Sequence, residues 1–182
     1  MRPAFFALAS IVAATALAGT ASAYVIVAGG GFAATCYESA RDQRATARAL
    51  DQCTIALSDL LSSRDRAGTY VNRGIIYMRR GSVGLALSDF DAAIRLQPDL
   101  AEGYINRGAA LLVRNDLEGA IAAIDQGLQH DPEQPALAYY NRGIANEDLG
   151  RLREAYRDYR RASELAPDWD APRAELARLR VG

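Results

Sequence analysis

The sequence predicts an all-α fold, an α-solenoid of three helix hairpins with a helical cap at each end. The main observation is a repeat of 34 and 35 residues, because units of such a period pack on their neighbours to form solenoids. Three segments align across this repeat, each with a tyrosine followed by an Asn-Arg-Gly triplet: residues 70–74, 104–108 and 139–143. The second observation is that apolar residues inside each unit recur at helical spacing.

Three kinds of residue keep the same spacing along the chain. Gly74 and Gly108 are 34 residues apart, and Gly108 and Gly143 are 35 residues apart. The additional residue of the third unit falls between Pro132 and Tyr139, where a loop can absorb it. The same two spacings separate the alanines Ala86, Ala120 and Ala155 and the prolines Pro98, Pro132 and Pro167.

Each unit is predicted to contain two amphipathic helices. In the first unit the apolar stripe over residues 69–80 ends at Gly81, and Ser82 can cap the helix that follows. This second helix carries apolar residues over 85–96 and stops near Pro98. A single hairpin cannot bury both of its faces, so the units are expected to stack. The three units span residues 67–100, 101–134 and 136–169.

Two flanking regions are predicted to cap the stack. Residues 35–66 carry helical periodicity without the repeat markers, which indicates a degenerate helix hairpin. Residues 170–182 are predicted to form a final helix whose Leu176 and Leu179 face the last repeat. Terminal repeats need a polar outer face, and arginines supply it here. Trp169 is expected to seal this helix onto the third repeat.

The first 23 residues are typical of a secretory signal peptide. Arg2 gives a weakly positive start, an apolar Ala-rich run follows, and residues 21–23 (Ala-Ser-Ala) give the small-x-small pattern that signal peptidases cut. This predicts cleavage after Ala23, export to the periplasm, and a flexible segment over residues 24–34. The alternative is an uncleaved membrane anchor, because the uncharged stretch between Arg2 and Glu38 is long enough to span a bilayer.

The sequence has two cysteines, Cys36 and Cys53. In an exported protein they are expected to form a disulfide; two buried free thiols are the alternative. The crosslink would close a span of 17 residues within the N-terminal cap. Such a loop closure stabilises by about 3 kcal/mol. A structural zinc site takes about four ligands, and the single histidine, His130, is far away in sequence, so neither a metal nor a cofactor is predicted.

The composition argues against two functional classes. The net charge is −1, with 21 basic and 22 acidic residues. A nucleic-acid-binding protein usually has a basic surplus that neutralises phosphates, so no nucleic-acid partner is predicted. No grouping of a nucleophile with a base stands out, so the chain is not expected to be an enzyme. All of the basic residues are arginine, a bias typical of GC-rich bacterial genomes.

The repeated units resemble the tetratricopeptide-repeat family. The family's pattern of an aromatic residue, a glycine, an alanine, a small residue and a proline is matched in the first unit by Tyr70, Gly74, Ala86, Ala93 and Pro98. Two departures occur: arginine replaces the family's leucine before each glycine, and the third unit has an asparagine, residue 146, in place of an aromatic residue. The resemblance implies a right-handed superhelix that binds other proteins.

The resemblance also implies a binding face. In the family the first helix of each hairpin lines a concave groove, and an asparagine at the place of Asn72, Asn106 and Asn141 often contacts the backbone of an extended peptide. An amide suits this role because it donates and accepts a hydrogen bond; the alternative is that these asparagines bond to neighbouring helices. The neighbouring positions expected to line the groove are Val71, Ile75, Met78, Ile105, Ala109, Leu112, Tyr140 and Ile144.

The predicted function is a periplasmic adaptor or assembly factor that binds an extended, partly hydrophobic peptide segment of another protein. Arg79 is nearly the only cation of the predicted lining, so the groove does not resemble the basic clamp that captures acidic C-termini. The alternative is a scaffold that self-associates into a homo-oligomer through the same surfaces. Membrane contact is expected only if the signal segment remains uncleaved.

Two arginines of the repeated triplets are predicted to form ion pairs inside their own hairpins. Arg73 and Arg142 precede Asp89 and Asp158 by 16 residues, which places each pair on facing helices. Arg107 meets an alanine at the same offset. The sequence therefore predicts this pair in two hairpins of three.

Overall fold

The structure, a computed structural model, describes residues 21–27 and 31–181. Within these ranges the chain forms nine helices and no strand, which confirms the predicted all-α fold. The helices are α1 (Phe32–Arg41), α2 (Ala47–Ser58), α3 (Ser63–Arg79), α4 (Val83–Leu96), α5 (Ala101–Val113), α6 (Leu117–Leu128), α7 (Pro135–Asp148), α8 (Leu152–Leu165) and α9 (Asp170–Val181). Most of the predicted signal peptide, residues 1–20, lies outside the described residues.

Helices α1 and α2 form the N-terminal cap, joined by a disulfide. Cys36 on α1 and Cys53 on α2 are bonded and fully buried, with their Cα atoms 4.8 Å apart, which confirms the predicted pairing. The Thr46 hydroxyl caps α2 by accepting a hydrogen bond from the Ala49 N–H at 3.1 Å. The cap then packs on α3 through both of its helices, so the disulfide holds the end of the stack together.

The three repeated hairpins are α3–α4, α5–α6 and α7–α8, and they turn at equivalent positions. Gly81, Asn115 and Gly150 all adopt positive φ, at 76°, 61° and 74°. Glycine and asparagine tolerate this left-handed conformation best, which explains why these residues occupy the turns. Asp116 caps α6, but the Ser82 side chain makes no capping hydrogen bond to α4, contrary to the sequence-based expectation.

The two helices of each hairpin touch at the glycine of the Asn-Arg-Gly triplet. A Cβ atom at Gly74 would lie 2.5 Å from Cε1 of Phe90 on the facing helix. The equivalent contact is 2.5 Å to Cγ1 of Ile124 for Gly108, and 2.7 Å to Cε1 of Tyr159 for Gly143. No side chain fits there, so a buried apolar residue of the second helix lies directly against the backbone of the first.

Ion pairs connect the helices beside these contacts. Arg73 binds both carboxylate oxygens of Asp89 at 2.8 Å, which confirms one predicted pair. Arg142 binds Asp158 in the same bidentate manner at 2.7 and 3.0 Å, which confirms the other. Arg107, the arginine of the second triplet, pairs instead with a carboxylate of the preceding hairpin. Its Nε donates to Asp91 Oδ1 at 2.9 Å. The sequence-based prediction missed this inter-hairpin pair.

Helix α9 closes the C-terminal end of the stack. Its Leu176 and Leu179 pack on the cluster around Tyr159, as predicted. Trp169 precedes the helix and lies against Tyr140, with the ring centroids 4.7 Å apart. Trp169 therefore bridges the last repeat and the final helix.

Two glycine-to-alanine substitutions are expected to change stability in opposite directions. Gly108→Ala places a methyl group against Ile124 and the Ala120 carbonyl, so overpacking should lower the free energy of unfolding by about 1–3 kcal/mol. Gly84→Ala, on the open side of α4, meets nothing within 4 Å and should raise it by about 0.4–1 kcal/mol. Urea unfolding followed by circular dichroism measures both. Equal effects of the two substitutions would contradict the close helix approach at Gly108.

Removal of the disulfide is expected to destabilise the N-terminal cap. The double substitution Cys36→Ala and Cys53→Ala should lower the free energy of unfolding by about 3 kcal/mol, because the unfolded chain regains the freedom of the open loop. Urea titration of the wild-type chain with and without reductant provides the control, and reduction should reproduce the effect. Identical unfolding midpoints in all three samples would show that the crosslink does not stabilise the fold.

Candidate peptide-binding groove

Asn72, Asn106 and Asn141, here called the asparagine ladder, lie on α3, α5 and α7. Each precedes by two residues the glycine that contacts the second helix of its hairpin. Two residues of an α-helix turn the side-chain direction by about 200°. The asparagines therefore project from the face of the helix that points away from its hairpin partner. Because α5 contacts both α3 and α7, these three faces adjoin, and together they form the groove.

The groove holds an extended part of the same chain, residues 21–27, here called the N-terminal segment. At its centre the Ala23 N–H donates to Asn106 Oδ1 at 3.1 Å, and the Asn106 amide donates back to the Ala23 carbonyl. The second hydrogen of this amide goes to the carbonyl of Glu102 in the same helix. One asparagine thus pairs with both backbone groups of one segment residue, as a neighbouring β-strand would.

The same pairing occurs in the two flanking hairpins. The Val25 N–H donates to Asn72 Oδ1 at 3.0 Å, and the Asn72 amide donates to the Val25 carbonyl at 2.7 Å. Ala21 and Asn141 exchange hydrogen bonds of 3.0 and 2.7 Å. The ladder therefore pairs with every second residue of the segment, and the segment runs from the third hairpin towards the first.

Side chains of the N-terminal segment alternate between buried and accessible positions, as expected of an extended chain. Ala23, Val25 and Val27 are buried, whereas Ile26 exposes 63% of its surface. Ala23 has no exposed surface and shares a cluster with Ala101, Ile105 and Ala138, from α5 and α7. The groove therefore contacts one face of the segment with close packing as well as with hydrogen bonds.

Gly68 on α3 makes room for the two valines. A Cβ atom at this position would lie 2.9 Å from Val25 Cγ1 and 3.2 Å from Val27 Cγ2. The positions equivalent to Gly68 in the next two hairpins hold Glu102 and Leu137, which are larger. The first hairpin thus accommodates branched side chains of the segment, and the alanines lie over the other two.

Most of the predicted lining residues share a hydrophobic cluster with the segment. Seven of the eight do so, in three clusters that contain Val25, Ala23 or Ala21: Val71, Ile75, Met78, Ala109, Ile105, Tyr140 and Ile144. Leu112 is the exception, since it packs with Leu111, Ala120, Ala123 and Ala145. That these residues bind a ligand stays a prediction.

An open cavity of about 690 Å³ remains beside the segment. Met78 is the predicted lining residue that it exposes, and sequence reasoning missed Val113, Leu137 and Trp169. Val113 follows Asn106 by seven residues and Leu137 precedes Asn141 by four, so both lie on the same helical faces as the ladder. The helical periodicity of those two positions was the available signal.

The groove offers little charge to a ligand. Arg79 lines the open cavity, where its guanidinium donates to the Ala40 carbonyl, and partial burial lowers its pKa below the ordinary arginine value. Burial raises the pKa of the Tyr140 hydroxyl, which keeps that side chain neutral. The ladder itself is uncharged. A bound backbone therefore meets neutral amides, and the cations that line the cavity are the side chains of Arg41 and Arg79.

The expectation of a flexible segment over residues 24–34 needs correction for residues 24–27 and 32–34, whereas residues 28–30 lie outside the described residues. Residues 24–27 lie extended in the groove, where Asn72 holds the backbone of Val25 and Tyr24 packs edge-on against Tyr37 at 5.8 Å. Residues 32–34 already belong to the first turn of α1. The glycine-rich composition and the adjacent cleavage pattern favoured flexibility, whereas the pairing of the backbone with the ladder orders the segment.

Within residues 21–27 and 31–181, no group of three His, Cys, Asp or Glu side chains could hold a metal ion. None of the helices described there is both long enough and apolar enough to cross a membrane.

Comparisons with known proteins agree with the repeat. Tetratricopeptide-repeat family models match residues 67–100 and 136–168. A curated relative, a lipoprotein NlpI homolog of Haemophilus influenzae, is 31% identical over 105 residues, which cover 58% of this chain but only 33% of that protein. The chain thus spans about a third of this relative.

Solved structures share the fold. The OM64 tetratricopeptide-repeat domain of Arabidopsis superposes with a TM-score of 0.61 at 27% identity, covering 65% of this chain and 98% of that domain. The first such domain of Spaghetti (RPAP3), bound to an HSP90 peptide, superposes with a TM-score of 0.61 at 23% identity, covering 64% and 94%. The superposition on the RPAP3 domain, at 23% identity, is evidence for the fold alone.

Hydrogen exchange is expected to alternate along the N-terminal segment. The amides of Ala21, Ala23 and Val25 donate to the ladder and should exchange about tenfold or more slower than those of Ser22 and Tyr24. NMR exchange rates of the full chain, corrected for intrinsic rates, measure this. The Asn106→Ala variant is the control, in which the protection of Ala23 should fall. Uniformly fast exchange over the whole segment would contradict the docked arrangement.

Proposed function

This chain belongs to the tetratricopeptide-repeat family, and we propose that it is a protein–protein interaction module that binds an extended peptide segment of another protein in the groove. The observation that carries the proposal is the pairing of each ladder asparagine with both backbone groups of a segment residue. This pairing supports the proposal, because an amide that pairs with one extended backbone can pair with another. The peptide-bound neighbour of the same fold is consistent with such a use.

Backbone pairing would supply affinity that depends little on the ligand's sequence. Each hydrogen bond contributes about 0.5–1.5 kcal/mol net, and three asparagines offer six of them. Specificity then comes from the alternate side chains that enter the groove, as in proteins that add a peptide strand to a sheet edge. Since neutral amides make these contacts, we expect binding to depend little on salt.

The proposed location is the bacterial periplasm, with a role as adaptor or assembly factor. A buried disulfide supports an exported protein, because such bonds persist in oxidising compartments. The lipoprotein relative is consistent with this. The signal-peptide pattern of residues 1–23 supports the same route.

Self-association is the second candidate function, and the N-terminal segment favours it. A segment that fits the groove of its own chain also fits the groove of a second copy, so exchange of residues 21–27 would build a dimer without new contacts. Light scattering after size exclusion, over a range of protein concentrations, distinguishes this exchange from a monomer that binds other proteins.

The test of the proposed function uses the full chain carrying Ala23→Asp. A carboxylate at this fully buried position should displace the N-terminal segment and leave the ladder accessible. Peptides selected from a random heptapeptide library against this protein should bind in the groove. Adding Asn106→Ala should weaken the selected peptides by about tenfold, which corresponds to about 1.4 kcal/mol for the two lost hydrogen bonds. Fluorescence anisotropy measures the affinities.

Asn146 provides the matched control for this experiment. It lies on α7, but its amide donates to Asp158 at 3.0 Å instead of facing the groove. Asn146→Ala in the same background should leave peptide affinity unchanged. Failure to select any peptide, or equal losses from the Asn106 and Asn146 substitutions in folded proteins, would contradict binding by the ladder.

A further inference from the structure

We infer that residues 21–27 act as an intramolecular pseudo-ligand, and that the groove's ligand in trans carries the same pattern. This pattern is a small residue at the first and third positions and a β-branched residue at the fifth and seventh. The inference rests on the proposed function and names both the peptide class and the competitor that a partner must displace.

The N-terminal segment occupies the groove in the full chain. All three ladder asparagines are fully buried, and each has both functions of its amide paired with the segment. A second peptide therefore cannot reach the ladder while the segment is docked. Binding in trans requires that residues 21–27 leave first.

The fit of the side chains defines the pattern. Ala23 is completely enclosed by α5 and α7, so a larger residue at the third position would overpack this site. At the first hairpin, Gly68 leaves the space that Val25 and Val27 fill. The second and sixth positions are less restricted, because Ser22 borders the open cavity and Ile26 is mostly exposed. The groove thus selects at alternate positions and tolerates variation at the second and sixth positions.

Covalent linkage makes the segment a strong competitor. Only four residues separate Val27 from Phe32, where α1 begins. A ligand tethered by so few residues has an effective concentration in the millimolar range. A peptide of equal intrinsic affinity is therefore outcompeted at micromolar concentration. Its apparent affinity is its intrinsic affinity multiplied by the fraction of chains whose groove is free. Weakening the segment should raise the affinity for a peptide in trans.

The test compares three full-length proteins with one probe. The probe is a labelled synthetic peptide of residues 21–27, Ala-Ser-Ala-Tyr-Val-Ile-Val, with blocked ends. The proteins are the wild-type chain, the Ala23→Asp variant with a displaced segment, and the Ile26→Asp variant as a control. The control adds the same charge to the same segment at its exposed position. We expect the probe to bind Ala23→Asp at least about tenfold more tightly than the other two.

Three altered probes are tested on the Ala23→Asp protein, two for the side-chain pattern and one for the backbone pairing. The probe with Ala23→Leu should lose at least about tenfold in affinity, because the enclosed site has no space for the larger side chain. The probe with Ile26→Leu should bind as the parent does, because that side chain faces solvent. A probe methylated on the backbone nitrogen of Ala23 should also bind weakly, since it lacks the donor to Asn106.

The outcomes separate this inference from the proposed function. Equal affinity of the probe for the wild-type and Ala23→Asp proteins would overturn the pseudo-ligand, although library peptides could still bind through the ladder. Equal affinity of the Ala23→Leu and Ile26→Leu probes would overturn the pattern. If Ala23→Asp fails to fold, the Val25→Asp variant is used instead. It displaces the segment at the first hairpin, and the same results are expected.

Discussion

The close approach of two helices at Gly74, Gly108 and Gly143 is the contact on which the rest of the structure depends. It fixes the rotation of the first helix of each hairpin, because the glycine must face the second helix. The asparagine two residues earlier then points the opposite way, and the arginine between them points sideways. Three consecutive residues thus determine the hairpin contact, the lateral ion pair and the face that contacts the N-terminal segment.

For the segment to dock, the distance between every second residue of the extended chain must match the distance between neighbouring ladder asparagines. An extended chain advances about 6.6 Å over two residues, whereas neighbouring helix axes are about 8–10 Å apart. The amides of the ladder must therefore lie closer together than the helix axes, as they do on the inner side of a curved stack. Curvature follows from how tightly the hairpins close, so a methyl group at Gly108 should disturb segment binding as well as stability.

Much of the fold follows from the sequence, because repeats make local signals unambiguous. The spacing of the glycines, alanines and prolines predicted the hairpins, and the offset of 16 predicted the pairs of Arg73 and Arg142. The partner of Arg107 was missed, because Asp91 belongs to the preceding hairpin and lies on the other side in sequence. Pairing between repeats depends on how they stack, and a pattern within one repeat does not show this.

The location of the N-terminal segment could not be predicted for a different reason. Its small-x-small pattern is the one that signal peptidases recognise, and it is also the one that fits between α5 and α7. Both the peptidase and the groove require small residues at alternate positions of an extended chain. A single sequence pattern therefore predicted cleavage and gave no indication of docking.

Cleavage after Ala23 and docking of the intact segment exclude each other. In the docked state Ala23 is fully buried and its carbonyl accepts a hydrogen bond from Asn106, so a peptidase has no access to this bond. The predicted cleavage must then precede docking. It would remove Ala21 and Ala23 from the ladder while leaving Val25 attached beside Asn72.

A chain cut in this way would keep one asparagine occupied and free the other two. The vacated part of the groove, over α5 and α7, is the part that encloses alanine, so it would accept a small-x-small segment from a partner. The branched residues Val25 and Val27 would stay over α3 and define the edge of the open site. The full chain pairs all three asparagines with its own segment, whereas the cut chain would leave Asn106 and Asn141 without it.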